Sequence, residues 1–203
     1  MKKYKKLLIF GGTFSPVHNG HLRAMQACCA ATSPDVLYVI PTATPPHKVR
    51  HDGATDKERM DMLHLAVGTL HTACPVVVSD IELLRGGASY TVDTLRALHA
   101  RGETDLHLIV GTDMLLSFDK IWRAPDEIAR LASLAVCARE NEDWDALREK
   151  AAALKDSLGA TVELVQGDSL TISSTELRQG GALRCYTPES VADYIEEKHL
   201  YGY

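Results

Sequence analysis

No apolar run in this chain is long enough to leave water. Leu7-Leu-Ile-Phe10 stops after four residues, at Gly11-Gly12. A secretory core needs about seven to fifteen, and a membrane span roughly 20. The basic opening, Lys2, Lys3, Lys5 and Lys6, therefore reads as a solvated lead-in to a first strand. The expectation is a cytoplasmic protein with no membrane partner. Cysteine is sparse and unpatterned. Cys28, Cys29, Cys74, Cys137 and Cys185 are odd in number, and no two have the two-residue gap of a zinc or redox motif. That argues against a framework of bridges and predicts small buried hydrophobes in a reducing compartment. Positive charge is also in deficit, with 22 Lys and Arg against 27 Asp and Glu, a net charge of −5. Because four of the basic residues fall in the first six positions, the remainder is more acidic still, at 18 against 27. A protein that coats nucleic acid through many phosphate contacts is excluded. Small phosphorylated ligands are not.

What is present is an ordinary globular composition, 45% hydrophobic over 203 residues. Such a chain buries most of its apolar surface without disulfides or a structural metal. One domain over residues 1–203 is expected, with a small helical part from about residue 170. Short apolar runs alternate with amphipathic stretches. Strands are expected at 7–10, 36–40, 76–78, 106–110, 134–138 and 161–165. Helices are expected at 22–31, 57–70, 91–100, 126–132, 145–158, 175–179 and 189–199, the last begun by Thr187 as cap and Pro188 at the first helical position. Pro41, Pro45 and Pro46 make 42–56 a loop. This alternation predicts an α/β, Rossmann-like, doubly wound and mainly parallel sheet with helices on both faces. Ligands bind such sheets beyond the carboxyl ends of the strands. Chemistry is therefore expected just after Phe10, Ile40, Ser79, Val110, Ala138 and Val165.

The first of these positions carries Gly11-Gly-Thr-Phe-Ser-Pro-Val-His-Asn-Gly-His21. It is neither a Walker loop nor Gly-x-Gly-x-x-Gly. Two glycines let a ligand approach the backbone. His18 and His21, three apart at a helix start, stand beside N–H groups that already favour an anion. Together they suit a phosphate that gains charge during reaction. A tight turn with incidental histidines, or a metal pair, are the competing readings of His-x-x-His alone. The strand, the double glycine and Phe14-Ser-Pro16 in front favour the phosphate site.

The whole stretch resembles the signature of the His-x-Gly-His nucleotidyltransferase superfamily, and within it the nicotinate-nucleotide adenylyltransferase family. Ser15 stands where that family usually has Asp. Further motifs follow in the family's order. Pro45-Pro46-His47-Lys48 matches a loop near the substrate phosphates, and otherwise reads as a proline-stiffened surface loop. Ser89-Tyr90-Thr91 precedes a helix that Ser89 or Thr91 would cap. The resemblance puts this stretch near the pyridine ring. Gly111-Thr-Asp113 and Trp122-Arg123 look like the family's substrate loop, in which Trp stacks on that ring and Asp contacts the ribose. Arg123 stands where the family often has Tyr. Ile172-Ser-Ser-Thr-Glu-Leu-Arg178 is a helix start capped by Ser173 or Ser174 with Glu176 in its first turn, and also resembles the family's second phosphate motif. Val191-x-x-Tyr-Ile195 and Leu200-Tyr201 fit the family as well.

The resemblance implies adenylyl transfer from ATP to nicotinate mononucleotide, with Mg2+ carried by ATP and no protein cage for it. It implies catalytic roles for His18, His21, Lys48 and Arg178. ATP would be held by Gly11, Gly12, Phe14, Gly20, Gly111, Asp113, Arg139, Ser173, Ser174 and Thr175. The mononucleotide would meet Thr13, His47, Tyr90, Thr91, Trp122 and Arg123. Three alternatives stay open: a sister transferase acting on nicotinamide mononucleotide or phosphopantetheine, a non-catalytic nucleotide-binding module, and a fragment of a class I tRNA synthetase. The last lacks a Lys-Met-Ser-Lys-Ser sequence. Oligomeric state is left open.

Overall fold

The computed structural model describes residues 5–45, 53–138, 144–167 and 172–203. Strand β1 (Lys6–Gly12) leads into helix α1 (Asn19–Thr32), then β2 (Val36–Pro41), α2 (Asp56–Gly68) and β3 (Val76–Val78). Two helices, α3 (Ile81–Arg85) and α4 (Thr91–Ala100), precede β4 (Asp105–Gly111). Three short ones follow it: α5 (Thr112–Leu116), α6 (Phe118–Ile121) and α7 (Pro125–Leu131). The chain continues through β5 (Ala132–Ala138), α8 (Trp144–Leu158) and β6 (Val162–Gln166). It closes with α9 (Ser174–Arg178), α10 (Leu183–Tyr186), α11 (Glu189–Glu197) and a 3-10 turn at Leu200–Gly202.

The six strands form one parallel sheet in the order β3-β2-β1-β4-β5-β6. The order reverses between β1 and β4, so this is the doubly wound, Rossmann-like arrangement that the alternation predicts. Continuous apolar strands are what a sheet covered on both faces requires. Leu8, Leu37, Val39, Ile109 and Ala135 face one core, shared with Met25 of α1, Met62 of α2 and Ile195 of α11. Leu7, Ile9, Leu106, Leu108, Leu134 and Val136 face the other, with Leu95 of α4 and Leu147 of α8. Each fully buried Leu, Ile, Val or Met among them contributes about 1.5–3 kcal/mol.

Register decides where the sheet opens. β1 pairs with β2 through Gly12↔Pro41, and β4 pairs with β5 through Gly111↔Cys137. The β1–β4 ladder ends earlier, at Ile9↔Leu108. Beyond that pair the two central strands part, and the ends that diverge are Gly11-Gly12 and Gly111. The crevice rule and the glycine motifs thus select the same place.

Several local expectations change. The last strand and helix are shifted or shortened by a residue or two, and α2 ends at Gly68, leaving Leu70 outside it. Helices α3, α5, α6 and α10 are additional. Pro188, not Thr187, is the cap of α11, because Thr187 directs both its N–H and its hydroxyl back to the Leu183 carbonyl. Tyr90 occupies the cap position of α4 without a side-chain bond. Ser89 instead accepts the Ala43 N–H at 2.8 Å. All five cysteines are free; Cys28, Cys29 and Cys74 are buried as expected, Cys137 is half-buried and Cys185 is exposed. No helix among the described residues is long and apolar enough to cross a membrane.

Candidate active site

The first turn of α1 sets the chemistry. His18 is its cap residue, in extended conformation, and His21 lies three residues on. Their rings face each other at 3.7 Å between centroids, 30° apart. The His18 backbone N–H donates to His21 Nδ1 at 3.2 Å. A neutral His21 ring therefore carries its proton on Nε2, where it is a donor. Burial drives His18 down to about 4, against an opposing pull from Glu176. His21 is held well below its ordinary value by burial and by repulsion from His18. Both rings are neutral at pH 7 in the free protein. Neutral rings can serve as N–H donors but carry no standing positive charge.

The surroundings hold the rings in place. Phe14 is buried, at 1% exposure, and its ring meets His21 edge-on at 5.0 Å and Phe10 at 5.5 Å. It is a wall behind His21 rather than an exposed contact surface. A Cβ on Gly12 would lie 3.0–3.2 Å from that ring, and one on Gly20 would lie 3.0 Å from His18 Nδ1. A Cβ on Gly11 would meet nothing within 4 Å, so the opening at the end of β1 is free for a ligand to approach the backbone.

Helix α9 is fastened to this loop. Ser173 caps it reciprocally with Glu176, which accepts the Ser173 N–H at 2.8 Å while Ser173 Oγ accepts the Glu176 N–H at 3.2 Å. Ser174 Oγ donates to the Pro16 carbonyl at 2.9 Å. Arg178 Nη1 donates to the Ser15 carbonyl at 2.6 Å, and Nη2 to Thr175 Oγ1 at 3.1 Å. The hydroxyls of residues 173–175 and the Arg178 guanidinium thus all have protein partners. Of these, Ser174 and Arg178 join α9 to the His18–His21 loop, while Ser173 and Thr175 are engaged within α9.

A second group forms at the end of β2. The Ser89 N–H donates to the Thr44 carbonyl at 2.8 Å, and Thr44 and Ala88 form a parallel bridge. This draws Tyr90 and Thr91 to the β2 edge of the crevice. Arg123 lies over the Tyr90 ring at 4.4 Å, a cation–π contact that joins two of the residues expected to meet the mononucleotide. Trp122 is half-buried and packs on Phe118 at 5.2 Å. Its indole N–H is buried without a partner among the described residues. Gly111 is the cap residue of α5, and Asp113 stands exposed in the first turn of that helix. His47, Lys48 and Arg139 lie outside the described residues.

Residues 9–180 match the family described as cytidylyltransferase-like. A relative from Synechococcus sp. (strain JA-2-3B'a(2-13)), "Probable nicotinate-nucleotide adenylyltransferase", is 35% identical over 205 residues and spans 98% of each chain. One of the same name from Roseiflexus sp. (strain RS-1) is 38% identical over 199 residues, 95% of this chain and 96% of its own. The chain belongs to the nicotinate-nucleotide adenylyltransferase family. Its fold is also that of the Plasmodium falciparum nicotinic acid mononucleotide adenylyltransferase complexed with NaAD, at a TM-score of 0.76 and 16% identity over 97% of both chains.

Sequence reasoning missed one residue that organises the site of this adenylyltransferase-family chain. Arg59 on α2 is 1% exposed. Its guanidinium donates to the carbonyls of Thr13 at 2.8 Å and Thr42 at 2.7 Å, and pairs with Asp56 Oδ1 at 2.7 Å. It therefore ties the loop after β1 to the loop after β2. The peptide it holds at Thr42 presents the Ala43 N–H on its opposite side, as a trans peptide must, and Ser89 Oγ accepts it. A signal was available. Arg59 stands three and four residues before Met62 and Leu63, and seven before Ala66, on the face that α2 buries.

Proposed function

We propose that this chain transfers the adenylyl group of ATP to nicotinate mononucleotide. A phosphate oxygen of the mononucleotide attacks the α-phosphorus, the bond from that phosphorus to the bridging oxygen breaks, and pyrophosphate leaves. The product is nicotinate adenine dinucleotide. The observation that carries the reading is the neutral, face-to-face His18–His21 pair at the mouth of the crevice, in a chain with whole-length relatives of that name.

The nucleophile is already an anion, so no side chain has to remove a proton from it. Charge grows instead on the oxygens around the transferring phosphorus. His21 Nε2–H is a preorganised donor of the kind that stabilises such charge. ATP would lie along Gly11, Gly12 and Gly20, with its ribose toward Gly111 and Asp113 and its phosphates toward α9, Lys48 and Arg139. The pyridine ring would lie toward Thr13, His47, Tyr90, Thr91, Trp122 and Arg123. Ser174 and Arg178 keep the two phosphate-facing segments together. Among the described residues no three His, Cys, Asp or Glu side chains lie close enough to hold a metal ion. In this reading Mg2+ would come with the ATP phosphates and water and would neutralise charge there.

The test is one assay. The protein is incubated with Mg-ATP and, separately, with nicotinate mononucleotide, nicotinamide mononucleotide and phosphopantetheine, and pyrophosphate is measured. Release with the nicotinate compound above the others is expected. Release with none would favour a binding module, and a preference for another acceptor would favour a sister transferase. His21→Ala should cut turnover far more than it weakens mononucleotide binding. Turnover within a few-fold of the parent would remove the role given to that ring.

A further inference from the structure

Tyr201 is far from the candidate site in sequence and touches the loop that carries it. Its hydroxyl is 3.0 Å from Ser15 Oγ. Ser15 is buried, and its carbonyl is the one that accepts Arg178. The other side of the ring lies on Gly53, where a Cβ would come within 2.3 Å of Cδ1 and 2.6 Å of Cε1. Two residues on, the Tyr203 hydroxyl is shared between the carbonyls of Leu177 and Gly181, each at 2.7 Å. This turn is held in a costly backbone shape. His199 (φ 51°), Tyr201 (φ 60°) and Gly202 (φ 87°) are all left-handed. For the two residues with side chains that costs about 1–2 kcal/mol each. Such strain persists only where surrounding contacts over-determine it, and here those contacts are Ser15, Gly53 and α9.

We infer that Tyr201 is a positioning residue for the adenylyl transfer proposed above, fixing the His18–His21 loop against α9 and the entry to α2. The Ser15–Tyr201 hydroxyl pair holds the loop three residues before His18, with buried Pro16 and Val17 transmitting the position. Burial pushes the Tyr201 hydroxyl up to about 12, so it remains a protonated partner through the neutral range. Gly53 is required so that the ring can reach Ser15. Tyr201 touches the segment that carries His18 and His21, and Tyr203 in the same turn holds α9, which carries Ser174 and Arg178.

The experiment measures pyrophosphate release and melting temperature for the parent, Tyr201→Phe, Ser15→Ala, the double variant and Gly53→Ala. For Tyr201→Phe a kcat lower by about fivefold to tenfold is expected, as for one lost hydrogen bond of ordinary strength. KM for the mononucleotide should stay within about twofold. The double variant should be no slower than the slower single variant, because one bond is removed once. Gly53→Ala, which displaces the ring from the other side, should lower kcat similarly. It serves as the test if Tyr201→Phe does not fold. An active parent with an unaffected kcat in Tyr201→Phe and Gly53→Ala overturns the inference. So do fully additive losses for Ser15→Ala and Tyr201→Phe, or losses that only follow the melting temperature. A parent that releases no pyrophosphate overturns the transfer reading and takes this inference with it.

Discussion

His18 makes the stability of the molecule depend on pH in a window that its burial defines. The ring has an ordinary value of 6.5, lowered to about 4 in the folded chain. Between those values the unfolded chain holds the proton and the folded chain does not. Stability therefore falls as pH drops through 6.5, and the loss is complete below about 4. The gap of about 2.5 units corresponds to about 3.4 kcal/mol at its limit, and to about 2 kcal/mol at pH 5. For a chain of this size that is about 4–8 °C of melting temperature. His21, also held low by burial and by His18, adds in the same direction. Glu82 is raised by burial and works the opposite way at lower pH. A His18→Asn comparison isolates the term. Melting temperature is measured at pH 7.5 and pH 5 for both proteins. The parent should lose about 4–8 °C more than the variant over that interval. Equal losses would refute the claim that a neutral, buried His18 underlies the window.

Two further substitutions probe the frame of the site. Arg59→Met leaves the Thr13 and Thr42 carbonyls without their donor, at about 1–3 kcal/mol for each buried group. A loss of roughly 2–6 kcal/mol in urea unfolding is expected, and a change under about 1 kcal/mol would show that the clamp does not bear on stability. Gly20→Ala places a methyl 3.0 Å from His18 Nδ1. The ring has to shift by a few tenths of an ångström, so kcat should fall by about tenfold, as for a misplaced catalytic group, while the melting temperature changes little. Unchanged turnover would mean that the ring is not used where it lies.

The alternation of strands and helices was legible because the inner strands β1, β2 and β5 are largely buried and read as nearly unbroken apolar runs. Leu7-Leu-Ile-Phe10 and Leu134-Ala-Val-Cys137 needed no partner to be recognised. Helices α3, α5, α6 and α10 were not legible. Four or five residues contain barely one turn, too little for a 3.6-residue period to register. Packing fixes them instead, through buried Ile81, Leu115, Phe118 and Leu183. The cap of α4 failed for a related reason. A serine before a helix has several uses, and here a backbone N–H from the neighbouring loop claimed it. Within the site, the glycines and histidines were legible because adjacent residues make the motif. The state of the histidines was not, since their neutrality comes from burial in the folded chain and, for His21, from the neighbouring His18. Arg59 and Tyr201 act across 46 and 186 residues of chain. The helical spacing of Arg59 with Met62, Leu63 and Ala66 signals that it is buried, but no local pattern names partners at that span.

The early end of the β1–β4 ladder has a mechanical side. Four residue pairs, Lys6↔Asp105 to Ile9↔Leu108, join the two wings of the sheet. Six join β1 to β2 and six join β4 to β5. Toward the edges, five pairs join β5 to β6 and three join β2 to β3. Among the seams between interior strands, the one with the fewest paired residues runs beneath the place where two substrates would meet. A small rotation of one wing against the other would change the spacing between the β1 and β4 loops without disturbing the strand pairing inside either wing. The shortest ladder between interior strands therefore lies where the two reacting groups would be brought into line.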